Sequence, residues 1–301
     1  MKKRNIRLIS CIVILAALSV GIWGGVHYMR TLSPRQVVTP AKGVTVHVEE
    51  LSFFNGGEKI FGKVYKPIDS LSKKFPLLVY CHGLGQLSDE AKNICTQAAS
   101  LGYIAYAFDF RGGAENSRSD GDMLNMSMKT EINDLEFILK RMRKYDKVDK
   151  DRIFLCGHSL GGAVAGLVAA DRKQDIAGAV LLAPAFNMSD MAKTAYPKIG
   201  SIPKSFTLLN WTVGRHFYSD IHSMDMIRPL KKCEGDILII HGAQDDIVPP
   251  DYAVRADEAY PKSTLRLLDG VGHVFSGDGS RRMHDLLGEY LSAHNPKYKT
   301  K

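Results

Sequence analysis

No C-x-x-C pair occurs among the five cysteines (Cys11, Cys81, Cys95, Cys156 and Cys233), which excludes a zinc ribbon or a dithiol redox motif. Cys81 and Cys156 close short apolar runs, where a thiol serves as a small buried hydrophobe, so free thiols are expected rather than a disulfide. The chain lacks metal-ligand spacing, and its glycine-rich stretch Gly157–Gly162 lacks the lysine of a phosphate-cradling loop. No metal and no cofactor is therefore implied. Internal repeats and low-complexity segments are absent. Acidic residues are missing from the first 42 positions, which hold Lys2, Lys3, Arg4, Arg7, Arg30, Arg35 and Lys42. Taking these seven from the 40 basic residues leaves 33 against 32 acidic ones, so the net charge of +8 belongs to the leader. The rest is nearly neutral, and no nucleic-acid partner is expected.

Only one long apolar run is present. Leu8 to Met29 is uncharged over 22 residues, enough for a helix to span a hydrocarbon core of about 30 Å. The basic residues ahead of it favour an inside N-terminus, with the remainder outside the cytoplasm. The best small-x-small cleavage site, Ala17-Leu18-Ser19, falls early, and apolar character continues through Ile22, Trp23 and Val26. Residues 1–29 are thus read as an uncleaved signal-anchor, a membrane contact, in preference to a cleaved signal peptide that would release a secreted domain. Residues 30–43, with Pro34, Pro40 and Gly43, read as a linker to one domain over 44–301.

Within that domain, residues 44–66 alternate in strand fashion about the turn Asn55-Gly56-Gly57, a hairpin signal. Short continuous apolar runs then follow: Leu77–Cys81, Tyr103–Phe108, Ile153–Cys156, Ala179–Ala183, Ile237–Ile240 and Leu265–Leu268. Such runs suit strands buried on both faces of a parallel sheet. Between them lie amphipathic helices. From Ser127 to Tyr145, Ile132, Leu135, Ile138, Leu139 and Met142 form one face, with charges expected on the other. Strand-helix alternation predicts an α/β class with a doubly wound sheet. The 51 residues 184–234 interrupt the rhythm. They predict a mostly helical cap whose aromatic residues, Phe186, Trp211, Phe217 and Tyr218, form a substrate pocket.

Gly157-His158-Ser159-Leu160-Gly161 follows a strand and opens a small-residue helix. This is the setting of a nucleophile elbow, in which a strained turn lifts the serine hydroxyl clear of the sheet. A serine hydroxyl needs a base. His273 follows the last strand and fits; His284 falls inside the terminal helix. The base needs an orienting carboxylate, and Asp245, just past Ile237–Ile240, is preferred to its neighbour Asp246 by its spacing to Val248-Pro249. An oxyanion would be held by the backbone N–H groups of Leu160 and of Leu84, in the loop His82-Gly83-Leu84-Gly85, with His82 bracing that loop.

His82-Gly83, Phe108-Asp109-Phe110-Arg111-Gly112, Gly157–Gly162, Leu181-Leu182-Ala183-Pro184-Ala185 and His241-Gly242 through Asp245 together resemble the α/β-hydrolases. Within them, the stretches resemble the bacterial cinnamoyl (feruloyl) esterases. After Arg111 the chain departs from that pattern, with Gly112-Gly113-Ala114 where relatives often have Gly-His-Gly. The resemblance implies an eight-stranded sheet with an inserted cap and Ser159, Asp245 and His273 as a triad. The expected activity is hydrolysis of a small-molecule carboxylic ester, cinnamoyl-type or medium acyl. A monoacylglycerol-type lipase, a serine peptidase and an anchored, catalytically silent binding module are the competing readings.

Overall fold

A computed structural model describes residues 36–38, 46–67, 74–171 and 176–296, all within a compact unit spanning Thr31–Lys301. The expected anchor over 1–29 lies outside the described residues. Among those described, no helix is long and apolar enough to cross a membrane.

The first strands are β1 (Gln36–Val38), β2 (Val46–Glu50), β3 (Phe53–Asn55), β4 (Glu58–Ile60) and β5 (Gly62–Pro67). β3 and β4 pair on their own as a small hairpin, turned by Gly56 and Gly57 at φ +63° and +93°. Then follow β6 (Phe75–Cys81), α1 (Lys92–Ser100), β7 (Ile104–Phe108), α2 (Met128–Met142), β8 (Val148–His158), α3 (Ser159–Asp171) and β9 (Gly178–Leu182). The cap holds α4 (Met188–Ala195), the hairpin β10 (Ser205–Leu208) and β11 (Trp211–Gly214), and α5 (Arg215–Ser219). The chain closes with β12 (Asp236–Gly242), α6 (Asp251–Ala259), β13 (Ser263–Leu268) and α7 (Gly277–His294).

The main sheet runs β1-β2-β5-β7-β6-β8-β9-β12-β13. Pairing is parallel from β7 to β13 and antiparallel at the β1-β2-β5-β7 edge. Eight of these strands make the expected doubly wound sheet. The ninth, β1, lies inside the segment read as a linker and pairs with β2. Along β6 every residue is buried, and alternate side chains enter two cores: Leu77, Val79 and Cys81 one, Leu78 and Tyr80 the other. This is why a strand covered on both faces reads as an unbroken apolar run. The thiols of Cys81, Cys95, Cys156 and Cys233 are free and buried.

Two details differ from the sequence reading. In α2, capped reciprocally by Ser127 and Thr130, the buried stripe includes Glu131 and Asp134, while Ile132 is only half-buried. The charged face is therefore not wholly outward. The cap is not mostly helical, since its centre is the β10–β11 hairpin. At that hairpin's tip, Leu209 and Asn210 have φ +48° and +74°. Two left-handed residues match the twist of a two-residue hairpin, but a leucine there is strained.

Candidate active site

The parallel strands deliver four loops to the rim of their C-terminal ends, where ligands bind in open α/β sheets. β8 passes into α3 with no intervening loop, and Ser159 takes φ +55° at the junction. The flanking glycines are required by space. A Cβ on Gly157 would lie 2.3 Å from the carbonyl oxygen of Gly161, and one on Gly161 would lie 2.3 Å from that of His82. The backbone strain presents the hydroxyl at the head of a helix buried continuously from Leu160 to Ala170.

His273 Nε2 lies 2.9 Å from Ser159 Oγ, and His273 Nδ1 lies 2.8 Å from Asp245 Oδ2. The carboxylate accepts from Nδ1–H, which leaves the Nε2 lone pair facing the serine hydroxyl. Asp245 is almost fully buried. Its Oδ1 accepts from the N–H groups of Ile247 (3.0 Å) and Val248 (2.8 Å), while Oδ2 also faces His241 Nε2 at 3.1 Å. Burial alone would raise its pKa. Hydrogen bonds from His241, His273 and Val248 outweigh burial and hold the carboxyl well below the usual range. Asp246, by contrast, is exposed.

Behind β6, the Phe110 N–H donates to His82 Nε2 (3.0 Å), so the proton sits on Nδ1 and donates to Gly83 O (2.8 Å). His82 thus ties the loop to the strand-β7 side and is not free to transfer protons. The Gly83 N–H donates to Gln86 Oε1 (2.8 Å) and the Gly85 N–H to Gly113 O (2.9 Å). Among the described residues, none accepts a hydrogen bond from the Leu84 N–H. Leu160 is the second residue of α3, where the N–H has no partner within the helix. Leu84 and Leu160 both line the pocket at Ser159.

His158 Nδ1 lies 3.2 Å from the same Gln86 oxygen and Nε2 lies 3.1 Å from His273 O. Burial, then the neighbouring His273, lower its pKa to about 4. A neutral imidazole has one N–H to share between these two oxygens.

The pocket walls are mainly aliphatic: Met188 and Met191 from α4, Leu208 and Leu209 from the hairpin, Ile247 and Val248 from the Asp245 loop. Of the four aromatics expected there, Phe217 lines it. Phe186 instead packs against Gly166 of α3, Tyr218 stacks on Phe206 at 4.6 Å, and Trp211 lies over Gly85 of the loop after β6. A Cβ on Gly85 would fall 2.1 Å from the Trp211 ring. Sequence reasoning missed Gln86, Asn187 and His241. His241 was legible only as part of a motif, and Asn187 carried no motif at all. Among the described residues, no group of three or more His, Cys, Asp or Glu side chains is arranged to hold a metal ion.

Residues 72–227 match the family model described as serine aminopeptidase, S33. The chain belongs to that family. It is a hydrolase of the α/β-hydrolase fold, similar to esterases and lipases. Monoglyceride lipase of Mus musculus is 25% identical over 263 residues, covering 79% of this chain and 80% of the mouse protein. Est1E from Butyrivibrio proteoclasticus, solved with ferulic acid bound, superposes with a TM-score of 0.71 at 21% identity, covering 81% of this chain and 98% of its own. The monoacylglycerol lipase of Paleococcus ferrophilus gives 0.61 at 20% identity, covering 78% and 99%.

Proposed function

We propose that the chain is a serine carboxylic-ester hydrolase working through an acyl-enzyme on Ser159. The Ser159–His273–Asp245 relay carries this reading. His273 Nε2 accepts the serine proton as Oγ attacks the ester carbonyl, and Asp245 stabilises the imidazolium without taking its proton. The Leu84 and Leu160 N–H groups are positioned to serve the developing oxyanion. Collapse expels the alcohol, which takes the proton back from His273. Water then adds to the acyl-enzyme with His273 again as base, and the carboxylic acid leaves with Ser159 restored.

Walls of methionine and leucine with one aromatic, Phe217, fit medium acyl groups, and the bound ferulic acid of Est1E keeps hydroxycinnamoyl esters in view. A monoacylglycerol-type substrate is favoured by the likeness to monoglyceride lipase and by the same apolar walls. The peptidase reading draws on the family's name alone. The 22-residue uncharged run after four basic residues supports an anchor that keeps the domain at a membrane, outside the cytoplasm. The test is a panel of acetyl, decanoyl, monoacylglycerol, feruloyl and aminoacyl-peptide substrates, with Ser159→Ala alongside. Ester turnover that Ser159→Ala abolishes, while the variant's unfolding curve is unchanged, is the expected result. Turnover of peptides only, or turnover surviving in Ser159→Ala, would refute the reading.

A further inference from the structure

Asn187 is the N-cap residue of α4 and is buried, yet its side chain makes no capping bond. An N-cap asparagine ordinarily turns Oδ1 back onto the free amides of its own helix. Here the amide is turned elsewhere. Its Nδ2 donates to Ile247 O at 2.9 Å and contacts Met191 Sδ at 3.3 Å. The Ile247 carbonyl can only accept, so the nitrogen must face it and the orientation of the amide is fixed. That leaves Asn187 Oδ1 buried with no hydrogen-bond partner.

Asn187 also lines the pocket at Ser159, and apart from Ser159 it contributes the one polar side chain among the lining residues. A buried acceptor left unpaired costs free energy in the empty enzyme. A ligand that brings a donor to it removes that cost, whereas a hydrocarbon ligand leaves it in place. Apolar walls alone discriminate weakly against an added hydroxyl, but a site built around a buried polar atom rejects the analogue that lacks the matching group.

We propose that Asn187 Oδ1 selects esters whose pocket-bound part carries a hydroxyl, and so acts as a specificity residue. This rests on the ester-hydrolase reading above and narrows its substrate class. The hydroxyl has two possible sources, the acyl group or the alcohol. Two matched pairs separate them: methyl 3-(4-hydroxyphenyl)propanoate against methyl 3-phenylpropanoate, and 1-decanoylglycerol against propyl decanoate.

The measurement is the ratio of kcat/KM within each pair, which cancels losses of folded protein. In the wild type, one pair is expected to favour the hydroxylated member by about tenfold or more. Asn187→Leu should bring that ratio close to unity, losing rate on the hydroxylated ester and gaining on the plain one. Asn187→Asp keeps an acceptor but loses the donor to Ile247. It should therefore retain the preference even where its overall rate falls. Absence of a hydroxyl preference in both pairs, or a preference that persists in Asn187→Leu, overturns the inference. p-Nitrophenyl acetate, which is too short to need Asn187, serves as reference. If the wild type turns over neither this nor any other ester through Ser159, the ester-hydrolase reading fails. Ser159-dependent turnover without hydroxyl preference sinks this inference alone.

Discussion

Asp245, in the turn after β12, and Glu131, in the first turn of α2, are both buried carboxyl groups, and the structure treats them in opposite ways. Asp245 collects donors from two backbone amides and two imidazoles. Neither oxygen of Glu131 has a hydrogen-bond partner. Burial raises both pKa values. At Asp245 the donors reverse that effect, while at Glu131 burial, reinforced by nearby Asp134, drives the pKa well above the carboxylate range. The cause is local backbone. Beside Glu131 the nearest amides are already taken, its own N–H donating to Ser127 O (3.1 Å) and that of Thr130 to Ser127 Oγ (3.4 Å). A turn has amides to spare. The domain can therefore keep a buried negative charge at the strand ends, while at Glu131 the neutral acid is favoured.

Removing the charge at Asp245 should break this contrast most severely. Asp245→Asn cannot fix the His273 tautomer, and kcat for ester hydrolysis should fall by about 10⁴-fold. Asp246→Asn, at an exposed neighbour, should stay within about threefold of wild type. Larger damage from the Asp246 change would reassign the orienting acid.

A milder change strips one donor. His241 Nε2 faces both Val248 O (2.8 Å) and Asp245 Oδ2, which holds the turn and the carboxylate together. His241→Leu should lower kcat/KM by about tenfold and stability by about 1–3 kcal/mol near neutral pH. The folded-state pKa of Asp245 is depressed, so its contribution is fully present above the unfolded value of about 4 and is lost as pH falls through the folded value. Urea unfolding of wild type and variant should therefore converge in strong acid. A gap that stays constant with pH would show that His241 acts only through packing.

The sequence made the sheet and the relay legible because both are written locally. Continuous apolar runs marked the strands, and the glycines around Ser159 are demanded by backbone contacts that no side chain fits. Asp245 and His273 followed from their places after β12 and β13. The cap was less legible. Its aromatics were assigned to the pocket because they are large, yet Phe186 and Tyr218 went to core packing and Trp211 to the loop after β6. Pocket walls of Met and Leu have no periodic or motif signature. In α2, the burial of Asp134 depends on Arg111, whose backbone N–H and Nε donate to it at 2.9 and 2.7 Å. That partner lies 23 residues away in sequence, so a helical wheel could not foresee an acid on the inner face.

Glu131 supplies the subtlest test, because nothing in the structure offsets its burial. Asp134, three residues on, shares the buried face but is held by Arg111, which makes no hydrogen bond to Glu131. Glu131→Met has similar length, no polar atoms and a flexible thioether suited to irregular gaps. It should stabilise the domain by about 1 kcal/mol near neutral pH, since replacing an unpartnered buried acid by an apolar group removes a desolvation penalty. The sign with pH follows from the raised folded-state pKa. Above the unfolded value of about 4.3, the unfolded chain ionises and gains hydration that the folded protein denies, so wild-type stability falls as pH rises. Glu131→Met lacks this loss, and its advantage in urea unfolding should be larger near pH 8 than near pH 5. The same substitution should leave p-nitrophenyl acetate turnover unchanged, because Glu131 has no bond to the relay or its loops. A destabilised variant, or an advantage that shrinks with rising pH, would mean that Glu131 is ionised and solvated in the folded protein, and that the contrast with Asp245 does not hold.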